Sequence, residues 1–173
     1  MEFIVSYNNN PNPSNESGTT PIYLASEEGH IDIVKFLATK VNDPNSPNID
    51  GFTPIHVASQ KGHIDVVKYL ASKVDNPYPP SNAGFTPIYI ASENGHLDVV
   101  KFLATKVNDP NLPTNNGFTP IYVASMNGHI DVVKFLATKV ANPNSAAVNG
   151  ATPLSVATLN GHTDIVEFLS SII

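Results

Sequence analysis

The sequence predicts an all-α solenoid of stacked helix pairs, with long loops between pairs and a short β-hairpin at the tip of each connection. Three observations carry that prediction. Gly18, Gly51, Gly84, Gly117 and Gly150 recur at a spacing of 33 residues, each followed two residues later by Thr-Pro. A Gly-His pair follows each of them, at Gly29-His30, Gly62-His63, Gly95-His96, Gly128-His129 and Gly161-His162. Behind each Gly-His stands an apolar stretch of helical spacing such as Val-Val-Lys-Phe-Leu. A period of this length marks supersecondary units that cannot bury their apolar faces alone and must stack.

Composition agrees with a folded array. With 41% hydrophobic and 14% charged residues the chain carries enough apolar surface to fold, and its 15 prolines fall at regular places, as punctuation. The net charge is -6 and all nine basic residues are lysine, so no arginine fork is present to grip phosphate or guanine; no nucleic-acid partner is expected. Zero cysteines exclude disulfides, thiolate nucleophiles and thiolate metal sites. The N-terminal stretch lacks both a basic region and an apolar run beyond Ile4-Val5, so no signal peptide or membrane insertion is expected, and the setting predicted is intracellular and cytoplasmic.

Taken in order, residues 1–17 align on the back end of a repeat. Glu2-Phe3-Ile4-Val5-Ser6 falls on Lys35-Phe36-Leu37-Ala38-Thr39, and Asn10-Pro11-Asn12 on Asp43-Pro44-Asn45. They are read as a partial repeat or cap, left by trimming of a longer array. The first full unit, 18–50, opens its first helix at Thr20, with Pro21 at the first helical position. Ile22, Leu24 and Ala25 supply the apolar side, and Gly29 ends the helix in the left-handed conformation. A second helix starts near Asp32 and carries Ile33, Val34, Phe36 and Leu37 inward. The following polar, proline-broken segment ends in Asp50-Gly51, and later ones in Asn116-Gly117 and Asn149-Gly150, which suits a tight hairpin. Units 51–83, 84–116 and 117–149 repeat this plan, and 150–173 stops inside its second helix as a C-terminal cap.

Gly-x-Thr-Pro with Ile-His at 55 and 56, Ile-Tyr at 22, 88 and 121, and Leu-Ser at 154, each followed by Gly-His, resembles the ankyrin repeat across residues 18–173. The resemblance implies helix-turn-helix units with projecting tips, a non-catalytic role and a protein partner bound on the concave face. Two departures stand out. Val41, Val74, Val107 and Val140 replace the glycine that ends the family's second helix. Valine resists the left-handed conformation, so the helix is expected to run about one residue further, with Asn42, Asp75 and Asn108 making the turn and Ala141 strained. Tyr23, Tyr89, Tyr122 and Ser155 replace the family's first-helix histidine, so its hydrogen bonds are not expected there.

No residue set points to catalysis or cofactor binding. The recurring histidines belong to neighbouring units about 10 Å apart, too far to share a metal ion, so none is expected and the rings are assigned to structural hydrogen bonds. Asp-Lys pairs such as Asp98-Lys101 read as a solvated outer face. Its lysine ladder is discounted for polyanions because aspartates stand nearby and no stacking aromatics are expected there.

The remaining candidate is the surface lined by tips and first helices. By the resemblance it comprises Asp50, Phe52, Gln60, Lys61, Phe85, Glu93, Asn94, Asn116, Phe118, Met126, Asn127, Leu159 and Asn160. Within this chain the helix cores barely change between units, whereas Glu27-Glu28, Gln60-Lys61, Glu93-Asn94, Met126-Asn127 and Leu159-Asn160 differ each time. Phe52, Phe85 and Phe118 form a ladder with two open readings, covers for the hairpin bases or anchors for a partner. The surface grades from acidic in the first unit to apolar and Asn-rich in the last two. The expectation is a monomeric protein-protein interaction module. The alternative is a targeting or regulatory segment of a larger enzyme or channel.

Overall fold

The computed structural model describes residues 11–173. The alignment of Glu2–Ser6 on a second helix therefore lies outside the described residues. Among the described residues ten helices follow in sequence: α1 Pro21–Glu27, α2 Ile31–Ala38, α3 Pro54–Lys61, α4 Ile64–Ala71, α5 Pro87–Glu93, α6 Leu97–Ala104, α7 Pro120–Met126, α8 Ile130–Ala137, α9 Pro153–Asn160 and α10 Thr163–Ile172. Each odd helix packs on its even partner and on the next odd helix, while even helices pack less extensively on one another. The result is two layers of helices enclosing one continuous core.

Thr-Pro starts every first helix as expected. The Thr20, Thr86, Thr119 and Thr152 side chains accept the backbone N–H three residues on, with proline filling the first turn where its missing N–H costs nothing. An unforeseen second acceptor lies in the preceding loop. Asn12, Asn45, Asn111 and Asn144 Oδ1 accept the N–H of Ile22, Ile55, Ile121 and Leu154, at 3.0, 3.0, 3.1 and 2.9 Å. These asparagines tie each long loop to the helix it leads into. Tyr78 occupies the corresponding place in the third loop and packs against the core.

The core is made of the positions that repeat. Ile55, Ala58, Val66, Val67 and Leu70, and their counterparts Ile88, Ala91, Val99, Val100 and Leu103, are buried in one cluster. Ile33 and Phe36, expected inward, are instead 50% and 62% exposed. Ile165, which matches Ile33, is fully buried although α10 has only α8 before it, so this position packs backward onto the preceding second helix. Among the described residues α2 has no such predecessor.

The second helices end earlier than expected, at Ala38, Ala71, Ala104 and Ala137, and do not reach the valines. Thr39, Ser72, Thr105 and Thr138 hydroxyls donate to the carbonyls of Phe36, Tyr69, Phe102 and Phe135 at 2.8, 2.6, 2.7 and 2.7 Å. The next N–H tightens the last turn, as in Lys40 to Leu37 at 2.9 Å. Terminal carbonyls satisfied in this way need no left-handed residue. Val74, Val107 and Val140 then pack partly buried against the core. The turn itself falls one residue later than expected, on Asp43, Asn76, Asp109 and Asn142, whose side chains accept the N–H two residues on. Ala141 lies exposed in the bend just before the Asn142 turn.

The tips are turns without strands among the described residues. Each closes with two backbone bonds, such as Asn48 N–H to Phe52 at 2.8 Å and Gly51 N–H to Asn48 at 3.0 Å, too few for a ladder. Each tip also donates once to the one before it: Ile49 N–H to Ser17, Asn82 to Asp50, Asn115 to Ala83 and Val148 to Asn116, at 3.0 to 3.1 Å. Asn82 and Asn115 Nδ2 add bonds to Ile49 and Asn82 carbonyls at 2.9 and 3.0 Å. Gly51 has φ +83°, and a Cβ there would lie 2.8 Å from Asn82 N, so glycine serves both the turn and the close approach of the next tip.

Candidate functional site

The face carrying the candidate residues is built from the C-terminal ends of α1, α3, α5, α7 and α9 and the adjacent tips. Asp50, Gln60, Lys61, Asn94, Asn116, Asn127, Leu159 and Asn160 are exposed, and Phe52, Phe85, Glu93, Phe118 and Met126 are half-buried. Leu159 stands 84% exposed. Phe52, Phe85, Phe118 and Met126 pack around buried Tyr89, Ile90 and Val123, a second apolar cluster separate from the main core. Phe52 and Phe85 stack at 6.2 Å, while each ring also lies against the fourth residue on: Phe52 on His56 at 5.4 Å, Phe85 on Tyr89 at 5.1 Å, Phe118 on Tyr122 at 4.8 Å. The phenylalanines thus cover the tip bases and keep an exposed edge as well.

Not every candidate side chain is free to reach outward. Asn127 and Asn160 Nδ2 donate to the Glu93 and Met126 carbonyls at 2.8 and 3.1 Å, and Asn94 Nδ2 to Ile90 of its own helix at 2.9 Å. The carbonyls of Glu93 and Met126 also accept His129 and His162 Nε2–H at 3.0 Å each. His63 and His96 bond the same way to Glu27 and Gln60, at 3.0 and 2.9 Å. Four members of the histidine ladder expected to be structural therefore staple the starts of α4, α6, α8 and α10 to the end of the first helix in the preceding unit. Gly29, Gly62, Gly95 and Gly128 make room for the rings, since a Cβ there would meet imidazole atoms at 2.6 to 2.7 Å.

His56 is fully buried and bridges two units. Its Nδ1 accepts Thr53 N–H at 3.0 Å and its Nε2–H donates to the Phe85 carbonyl at 2.9 Å. Burial pushes its pKa down to about 4, against a smaller opposing effect of the Phe85 carbonyl. Ser155 recreates the local half of this arrangement, accepting Thr152 N–H at 2.8 Å. The tyrosines substitute aromatic packing. Burial, then Glu93 and then Tyr122 push the Tyr89 phenol up to about 12.

A model of ankyrin repeats in three copies matches residues 1–79, 40–114, 71–147 and 88–172, nearly the whole chain. The chain belongs to the ankyrin-repeat family. Ankyrin repeats are generally protein-protein interaction modules and typically non-catalytic. No curated protein matches the chain at a significant level. Among the described residues no helix is long and apolar enough to cross a membrane.

The outer face of this ankyrin stack differs from its sequence reading in two ways. No Asp-Lys ion pair closes among the described residues; Lys68, Lys101 and Lys134 lie over the rings of Phe102, Phe135 and Phe168 in the next unit, at 5.9 to 6.0 Å. Lys73, Lys106 and Lys139 approach Tyr69, Phe102 and Phe135 in their own units at 5.4 to 5.8 Å. Aromatics do stand on this face, and they draw the ammonium groups away from the aspartates, which sit a turn earlier at the helix N-termini. Grooves between successive long loops, of about 480 Å³ beside Asn108 and Lys139 and about 440 Å³ beside Asn42 and Lys73, are open and of mixed polar and apolar lining.

Proposed function

We propose that the chain is a non-catalytic binding module whose concave face, formed by the first helices and the tips, captures a protein partner. One observation carries this reading: Asp50, Gln60, Lys61 and Leu159 are exposed, take no part in the core, and occupy the positions where the units differ. Packing demands sameness at Ile55, Ile88 and Ile121, whereas these positions are free to vary. Closer packing of first helices than of second ones curves the stack toward the tips and supports a concave shape. The Phe52-Phe85 stack and Phe118-Met126 cluster supply an apolar floor, and rigid units lose little entropy on binding.

Photo-crosslinking side chains placed singly at Asn94, Leu159, Lys101 and Lys134 test the assignment. Adducts to one protein are expected from positions 94 and 159 and not from 101 and 134. Adducts confined to the outer positions would overturn it. Truncating Phe85, Phe118 and Met126 together is a poorer probe, because all three help bury Tyr89 and Val123 and their loss would also lower stability.

A further inference from the structure

Lysine is sorted across the stack, although carboxylates such as Asp32, Asp65 and Asp98 stand on the second helices too. Eight of the nine lysines lie on second helices or at their ends, and only Lys61 belongs to the first-helix face. Glu27 and Glu28 close α1, Glu93 closes α5 and Asp50 stands on a tip, and none has a cation within ion-pair reach among the described residues. Two of these carboxylates recur in one setting. Glu27 and Glu93 each stand one turn after a tyrosine, Tyr23 and Tyr89, and so share its side of the helix.

The proximity is electrostatic as well as geometric: burial first, then the Glu27 and Asp50 carboxylates, push the Tyr23 phenol up, and burial and then Glu93 do the same to Tyr89. Glu93 is itself half-buried, and burial raises its carboxyl above the usual range. An unpaired, half-desolvated carboxylate beside aromatic faces has the chemistry of a cation seat, combining ion pairing with attraction to the rings. The equivalent places in α3, α7 and α9 hold Gln60, Met126 and Leu159, so only α1 and α5 carry it. Lys61, on the intervening helix, disfavours a third cation between them.

We propose that this face takes an extended basic segment of a partner protein, with two cationic side chains at Tyr23-Glu27 and Tyr89-Glu93 and apolar residues continuing toward Phe118 and Leu159. The proposal rests on the reading of that face as the docking surface. First helices at the usual ~10 Å spacing set the two seats ~20 Å apart, which an extended chain spans in about six residues. A nucleic acid would bring phosphates against the same carboxylates. A second copy of this chain would have to present its outer, lysine-bearing face.

Fluorescein-labelled peptides of one length test this by anisotropy against the full chain. One carries two arginines about six residues apart followed by leucines, one carries them about three apart, and one has glutamate in place of arginine. The wide-spaced peptide is expected to bind about tenfold tighter than the others, to weaken with added salt, and to lose that advantage in the Glu27→Gln/Glu93→Gln protein but not in Lys101→Gln. Equal binding of both spacings, unchanged binding in the double variant, or loss in Lys101→Gln would overturn the proposal. So would tighter binding of labelled oligothymidylate, or self-association in light scattering that the double variant abolishes. If the arginine peptides fail while a crosslinker at Asn94 still captures a protein, the docking face stands and the cation seats fall; if both fail, both readings fall.

Discussion

Protonating His56 would put a second N–H on the ring at Nδ1, where Thr53 N–H already points. The fold therefore holds the neutral ring, with a pKa lowered to about 4. The unfolded chain binds that proton near the ordinary value of about 6.5, so the contribution is complete above that pH and is lost as pH falls from there to about 4. Its upper size is about 3 kcal/mol. Urea melts between these pH values should show His56→Tyr, the residue at three matching positions, falling less steeply than the parent as pH drops. Parallel slopes would assign the acid sensitivity elsewhere. The hydroxyls of Ser59, Ser92 and Ser125 are fully buried and unpartnered, whereas Ser26 donates to the Ile22 carbonyl at 2.7 Å. Removing an unsatisfied hydroxyl also improves helix propensity, so each Ser→Ala change should raise stability by about 1 kcal/mol in denaturant melts. Ser26→Ala, which breaks a made bond, is the control expected to gain less.

Elements in this chain end by two devices, and only one was legible in the sequence. Glycine at the end of each first helix could be read from its recurrence before histidine, as could Thr-Pro at each start. The hydroxyl that closes each second helix could not, because Thr39 or Ser72 looks like an ordinary surface residue until its bond to the carbonyl three back is seen. Valine's reluctance to adopt a left-handed conformation pointed to a longer helix, but the end had already been satisfied two residues earlier. The loop asparagines were visible as a repeated Pro-Asn, yet their bonds span ten residues, beyond local pattern reading. Asn111→Ala would strand the Ile121 N–H and should cost about 1 to 3 kcal/mol in thermal or chemical melts. The candidate face was legible through the resemblance and through positions that vary; Asn127 and Asn160 were included with it, but they bond the neighbouring unit. Gly95→Ala and Gly161→Ala separate the two roles of the helix-end glycines. Both residues have φ near +75°, but a Cβ at 95 meets the His129 ring at 2.6 Å whereas one at 161 meets nothing within 4 Å. The second change should cost about 1 kcal/mol, and the first clearly more. Equal costs in melts would mean the ring simply moves aside.

Across the whole molecule, stability is a sum of units and the interfaces between them, and the interfaces are unequal. The one between the second and third helix pairs holds a backbone tip bond, the Asn82 amide, His96 to Gln60, buried His56 to Phe85 and the Phe52-Phe85 stack. Between the third and fourth, Asn115, Asn127 and His129 all bridge. The first interface has His63 to Glu27 and a tip bond from Ile49, a residue with no amide to add. The last has His162 and Asn160 on the Met126 carbonyl, and Val148 likewise brings only its backbone to the tip. The stack should therefore open from its ends. Native-state hydrogen exchange in low urea is expected to show α9 and α10, and α1 and α2, exchanging at lower opening free energy than α3 to α7, with the buried amides of α5 slowest. Asn82→Ala and Asn115→Ala together should narrow that difference and split the urea transition in two, because they weaken the central interfaces and leave the outer ones intact. A single coincident opening of all the described helices in both proteins would show that packing of the continuous core, and not the tip and histidine bonds, sets the cooperativity.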